Sequence, residues 1–310
     1  MWNKPWKFPE GFLLGAALIV VGLLLELSVG PVEWDAFAWP VNAIVLVALV
    51  VLVVAMHVLR KRVYAFRFAS SYHAAIPALV YALVLTIVMG LTRQTADGTC
   101  LNNMLTFWPF VLVYTYIDIT LGVVLLKQSA WLWAARHGAN GTASQPRLGA
   151  GFLCSMLFHL GLFVTMTTAT LGNADMQRLK MITTVGQPEW RALDQQGGIK
   201  EMPLTIELKK FIMETYDDGS PRRFASEVQI LTKSGKNLLA TIDVNKPVET
   251  DGWKIYQYGY DTQMGASSNI SILELVSDPW LPAVYTGIYM MLAGAVLMFV
   301  TGGKRRGERS

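Results

Sequence analysis

Apolar residues run along this chain in two rhythms. Near-continuous blocks of Leu, Val, Ala and Phe occupy Gly11 to Gly30, Val41 to Leu59, Ser71 to Leu91, Met104 to Leu126 and Gly149 to Gly172, and a sixth runs from Trp280 to Val300. A helix rises about 1.5 Å per residue, so roughly 20 apolar residues cross the hydrocarbon core of a bilayer. Each block therefore predicts one spanning helix. Between the fifth and sixth blocks the apolar positions recur every second residue, which is how a half-buried strand reads. Leu204, Ile206 and Leu208 alternate in LTIELKKFIMETY, and further strands are predicted at Phe224 to Thr232, Leu238 to Val244, Trp253 to Tyr260 and Asn269 to Val276. Asp217-Asp218-Gly219, Ser234-Gly235, Asp251-Gly252 and Gly265 separate them as turns, and Gln177 to Gly198 reads as a helical or irregular connector.

The expected fold class is a membrane α-helical bundle of six transmembrane helices, with an external, mainly antiparallel β domain inserted between helices 5 and 6. Residues 1–148 would form a four-helix membrane region with a cytoplasmic amphipathic connector around Trp131 and Trp133. Residues 149–172 would be the fifth helix, 173–279 the β domain, and 280–310 the sixth helix with a basic tail.

Composition agrees with a polytopic membrane protein: 310 residues, 53% hydrophobic, mean hydropathy +0.39. The charges sharpen the picture through where they fall. Lys4, Lys7, Arg60, Lys61, Arg62, Arg67, Lys127, Arg136, Arg147, Lys304, Arg305, Arg306 and Arg309 flank alternate ends of the blocks, whereas the loops Pro31 to Pro40 and Thr92 to Asn103 hold only Arg93. By the positive-inside rule both termini are expected in the cytoplasm, and the β domain on the far side of an inner membrane. Topology accounts for the basic clusters, so no nucleic-acid partner is expected. The first block lacks an A-x-A-like cleavage site and reads as an uncleaved anchor. Cys100 and Cys154 fall in a loop and a span, with no C-x-x-C, which argues against thiol-disulfide chemistry.

Candidate chemistry lies inside the blocks. His159 sits near the middle of the fifth, and Ser155, Met156, Phe163, Met166, Thr167 and Thr170 share its face at helical spacing. That polar, sulfur-bearing stripe predicts an interhelical surface. His159 is then either a histidine hydrogen-bonded across helices or a haem ligand through neutral imidazole. His73, one turn inside the third block and just before Pro77, is interfacial or a second haem candidate. Asp118 in YTYIDITLG is an ionisable group within a span and must face protein or water. Glu26 and His57 read as interfacial, and His137 is given no role. The β segment shows no cluster of metal ligands, no G-x-S-x-G and no phosphate loop.

FHLGLFVTMTTATLG leading into a β domain, MPLTIELKKFIMETY with DDGSPRRFASEVQIL, IDVNKPVETDGWKIYQYGY, and the closing helix DPWLPAVYTGIYMMLAGAVLMF together resemble ResB, the CcsB-type subunit of System II cytochrome c maturation, from about Gly149 to Val300. The resemblance implies a haem-handling, accessory subunit of a holocytochrome c synthase. It would work with a CcsA-type membrane protein to carry haem b across the membrane and present it to apocytochrome c. His159 matches the family's intramembrane haem ligand and would be an axial ligand of the iron, with His73 as second choice. The family's tryptophan-rich external haem loop has no counterpart here, so the catalytic half is expected on another polypeptide. If spans three and five both start at the inner surface, His159 lies on the order of 10 Å deeper than His73, too far apart in depth for one haem to take both. The alternatives are a cytochrome b anchor of a quinone-linked oxidoreductase, which needs two histidines at matching depth, and a non-haem scaffold or apocytochrome chaperone.

Overall fold

The computed structural model describes residues 5–95, 98, 100–137, 150–218 and 220–307. Trp2, Lys4, Arg147, Arg309 and the Gly/Ser/Pro linker expected before Gly149 lie outside these residues. The chain divides into two compact units: a helical one, Met1–Ala174 with Trp280–Ser310, and a β one, Asp175–Pro279.

The helical unit is built from α1 (Phe8–Val29), α2 (Val41–Leu59), α3 (Tyr64–Ala69), α4 (Tyr72–Leu91), α5 (Trp108–His137), α6 (Ala150–Gly172) and α7 (Leu281–Gly307). All except α3 are long and apolar enough to cross a membrane, six among the described residues, and the protein is a multi-pass membrane protein. The six-residue α3 separates the second and third spans and has no counterpart in the sequence reading. The amphipathic connector expected around Trp131 and Trp133 is not a separate helix. It forms the last turns of α5, whose 30 residues make a rod about 45 Å long. Leu and Ala dominate that stretch and no Gly or Pro breaks it, so the helix simply continues.

α5 packs against α1, α2, α4 and α6, with Val123 fully buried against Val53, Met56 and Ala69. Small residues let backbones meet. A Cβ on Gly161 of α6 would lie 2.6 Å from the Gly287 carbonyl oxygen of α7, and one on Gly294 would lie 2.7 Å from the Phe158 nitrogen. Helices in lipid gain little by hiding Leu from one another, so close backbone packing at glycine takes that role.

The β unit is an antiparallel eight-stranded sheet in the order β5-β4-β3-β2-β1-β8-β7-β6. Its strands are β1 (Gln177–Thr184), β2 (Pro188–Leu193), β3 (Ile199–Thr215), β4 (Pro221–Thr232), β5 (Asn237–Asp243), β6 (Val248–Thr250), β7 (Trp253–Tyr260) and β8 (Ile270–Ser277). Gln177 to Gly198, expected as a helical or irregular connector, is therefore β1 and β2. Leu179, Met181 and Thr183 point inward along β1, and its ladder with β8 runs unbroken from Gln177↔Ser277 to Thr184↔Ile270. The sheet folds back on itself, so that Ser226 of β4 donates to Gln257 of β7 (2.6 Å) and meets Ser271 of β8 (2.7 Å) around a core of Met181, Ile206, Leu208, Ile230, Ile242, Ile255, Leu273 and Leu275.

Candidate functional site

The end of α2, the short α3 and the start of α4 turn the chain at one end of the helical unit. α2 ends at Arg60 and Lys61, α3 carries Tyr64, Arg67 and Phe68, and α4 begins after Ser71 with Tyr72 and His73. Pro77 has no N–H to return to the His73 carbonyl, four residues back. Gly11 of α1 packs against that free carbonyl and the Pro77 ring, which draws α1 tightly onto the start of α4. The His73 ring sits between Tyr72 and Phe8, with centroids 4.0 and 4.7 Å away.

His73 borders a half-open cavity of about 1090 Å³, slightly above the roughly 300–1,000 Å³ usual for ligand sites. Arg60, Lys61 and Arg67 line it from α2 and α3, Lys127 and Trp131 from α5, Phe152 from α6, and Trp6 and Tyr64 add aromatic wall. Trp6 stacks edge-on against Tyr64 and Phe68 at 5.2 and 5.3 Å, and Trp131 lies against Phe152 at 4.5 Å. Four cations and several aromatic rings thus converge on one half-open hollow at this end of the helical unit. Lys127 also donates to the Ser70 carbonyl at 3.5 Å, tying α5 to the start of α4. Each of these cations was read from sequence only as a marker of topology. Their convergence depends on α3, which sequence reasoning missed; the alternation of basic and aromatic residues in RKRVYAFRF was the available signal.

His159 is elsewhere, half-buried on α6, its Nδ1 3.4 Å from Ser155 Oγ. The stripe expected to be interhelical does face α5: Thr167 Oγ1 donates to Asp118 Oδ2 at 2.8 Å, and the Phe163 ring lies beside Gly122. Asp118, only 5% exposed, thus takes its hydrogen bond from α6 and not from Tyr114 or Tyr116. Asn42 of α2 adds a second polar tie to this helix, donating to the Leu171 carbonyl at 3.3 Å.

The contacts Asp118 to Thr167, Gly122 to Phe163 and Trp131 to Phe152 form an antiparallel ladder that sets His159 level with Leu125 and Leu126. Lys127 reaches Ser70, and His73 follows one turn later beside Val124 in the cavity wall. The two histidines therefore lie within about one turn of each other along the bundle, and the depth gap on the order of 10 Å expected from sequence closes. The expectation assumed that both spans start at one surface, whereas α5 and α6 extend well past the start of α4. Depth no longer separates the histidines, but α5 does: α4 and α6 both pack on it. The lining of the cavity includes His73 and not His159.

At the opposite end of α5, Glu26 does more than reach the interface. Its Oε2 accepts from the Trp108 backbone N–H at 3.2 Å, the start of α5, where a carboxylate suits the helix dipole. Cys100 and Cys154 are both free thiols.

A bundle of six long apolar helices carrying a rolled antiparallel domain is the class of protein the fold defines. Residues 126–274, just under half of the chain, match the model of the ResB-like family. Among the relatives the chain matches are proteins named cytochrome c biogenesis protein CcsB. One, from Prochlorococcus marinus strain NATL2A, is 32% identical over 43% of this chain and 28% of its own length. Another, from Prochlorococcus marinus subsp. pastoris, is 27% identical over 61% of this chain and 41% of its own. The matches thus span well under half of either relative. Among solved structures, cytochrome c heme lyase CcmF overlays 96% of this chain on 46% of its own at a TM-score of 0.38 and 13% identity, too loose a likeness to carry weight.

Proposed function

We propose that this chain acts in cytochrome c biogenesis as a haem-handling, accessory subunit of a System II synthase, passing haem b to a CcsA-type partner that joins it to apocytochrome c. The observation that carries this reading is the cavity beside His73. Haem is a flat aromatic macrocycle with two carboxylates, and the chamber offers an imidazole, aromatic walls and four cations. Arg60, Lys61, Arg67 and Lys127 would hold the carboxylates, Trp6, Tyr64 and Trp131 would flank the ring, and His73 would ligand the iron. His159 is the second candidate ligand, on a face that ends at Phe152 in the same chamber. The ResB/CcsB-type match and the names of the relatives support the pathway. The basic flanks support an inner-membrane protein with both termini and this cavity on the cytoplasmic side, the β domain lying outside between helices 5 and 6.

The cytochrome b anchor would need His73 and His159 on one iron, and α5 stands between their helices. The test is the haem absorbance spectrum of the full chain purified with and without its CcsA-type partner. His73→Ala should abolish the haem signal and cytochrome c maturation, imidazole should restore both, and Arg67→Ala with Lys127→Ala should lower haem retention at least tenfold while leaving the ligand bands in place. A spectrum unchanged by His73→Ala and lost in His159→Ala moves the ligand to α6. Stable haem on the chain alone, lost in either variant, favours the cytochrome, and no haem in any preparation favours the scaffold.

A further inference from the structure

Asp118 is a carboxylate 5% exposed in the middle of a spanning helix, and the haem reading makes no use of it. Its surroundings are unusual. Thr165, Thr168 and Thr170 of α6 each donate to the carbonyl four residues back in their own helix, at 2.9, 2.7 and 2.8 Å. Thr167 gives its proton to Asp118 Oδ2 instead. Oδ1 is buried and has no hydrogen-bond partner among the described residues. An ionised carboxylate away from water is stabilised only when several donors or a cation surround it, and one hydroxyl is too few.

One turn from Asp118 toward the Trp108 end, Tyr114 and Thr115 of α5 line a half-open cavity of about 260 Å³. Thr170, one turn beyond Thr167 on α6, lines it as well, and Trp34 and Asn173 stand at its loop side. Leu105, Phe110, Val111 and Ala169 make most of its wall, and Tyr114, Thr115 and Thr170 supply hydroxyls to it one turn from the buried carboxyl and its threonine. Among the groups that face Asp118, Tyr114 lies one turn away on α5, His159 two turns beyond Thr167 on α6, and His73 of α4 more than one turn further along the bundle. Glu26 of α1 is engaged at Trp108, and His57 of α2 lies within 3.3 Å of Arg60. Among the described residues no cation is bonded to the carboxyl.

We propose that Asp118 is a proton-binding site of the membrane unit, holding its proton on Oδ1 and exchanging it with water through the cavity lined by Tyr114 and Thr170. Release breaks the Oδ1–H bond, passes the proton to a cavity water as hydronium, and leaves a carboxylate whose added charge acts on the α5–α6 contact at Thr167. Uptake reverses both steps, with no electron moved. The inference stands apart from the haem reading, since neither His73 nor His159 touches Asp118.

The experiment is infrared spectroscopy of the full chain in detergent, following the C=O stretch of a protonated carboxylic acid across the pH range in which the helical signal is intact. Asp118→Asn should remove a band, Thr167→Val should move that band because its hydrogen bond is lost, and transfer of the folded protein to D₂O should shift it within minutes. Glu26→Gln should leave it in place. Absence of any band sensitive to Asp118→Asn or Thr167→Val overturns the site, as does a band lost in Glu26→Gln instead. A band that shifts in D₂O only after unfolding overturns the route through the cavity.

Discussion

In the β unit the side chains removed from solvent are large and apolar, with Met181, Ile206, Leu208, Ile230, Ile242, Ile255, Leu273 and Leu275 all at 0% exposure. In the helical unit many large apolar side chains are exposed instead, among them Leu27 at 86% and Phe299 at 83%. The surrounding medium explains the reversal. Water drives Ile and Leu inward, whereas lipid tails accept them, so a spanning helix turns its Leu outward and keeps glycine, threonine and the occasional acid for its neighbours. The polar interiors differ in the same way. In the β unit Ser226, Gln257 and Ser271 satisfy one another, and Gln257 Nε2 also donates to the Gly259 carbonyl at 3.0 Å. In the helical unit Asp118 keeps an oxygen without a partner. A closed network holds a fold in register; an open one leaves a group able to change state.

The comparison breaks most sharply at Gly161. Leu there would press a side chain into the backbone of Gly287 and Met291, where no flexible group can give way. Gly161→Leu is expected to cost more than about 3 kcal/mol, beyond ordinary overpacking, and to abolish cross-linking between cysteines introduced across α6 and α7. A native-like melting temperature with the cross-link retained would show that the two helices are not held by this contact. Next in size is Ile230→Ala in the β core, expected to cost roughly 2–5 kcal/mol in thermal unfolding. Ser226→Val should cost about 1–3 kcal/mol by removing the 2.6 Å bond to the Gln257 carbonyl oxygen, which then keeps only the longer 3.3 Å bond from Ser271. If both variants melt with the wild type, the rolled sheet does not have the dense core described.

The smallest effect is electrostatic and confined to the β unit. Lys236, then Ser234 and Thr232, stabilise the Asp251 carboxylate and push it down to about 2. A depressed carboxylate contributes stability above its unfolded value of 3.8 that is lost as pH falls through about 2. Stability of the wild type should therefore drop more than that of Asp251→Asn between about pH 4 and 2, by a small margin because the group is exposed and screened. Parallel acid limbs in the two proteins would show that the Lys236 pair, 2.6 Å apart, contributes nothing in solution.

Five predicted strands correspond to β3, β4, β5, β7 and β8, because each carries its alternation on a run of β-branched and aromatic residues. β1 and β2 were not legible as strands. In RLKMITT the adjacent Met181 and Ile182 break the alternation that Leu179 and Met181 begin, and PEWRAL opens on proline and buries only an alanine, Ala192. Both become strands because β8 and β3 offer them edges to pair with, which no local window contains. His73 and His159 were visible as candidates, and so was the stripe that faces α5. The cations beside His73 were visible only one at a time.

What the sequence determined alone is whatever depends on a single segment meeting its medium: six apolar lengths, the positive ends between them, the change to period two, and the ResB-like stretch. Tertiary structure decided what depends on two segments meeting. It brought Arg67 and Lys127 to one chamber, set His159 level with His73 across α5, and gave Asp118 one threonine and nothing more. Hydropathy is a property of each residue and adds along the chain, whereas a site is a coincidence in space that helix lengths, a short turn and a few glycines must produce together.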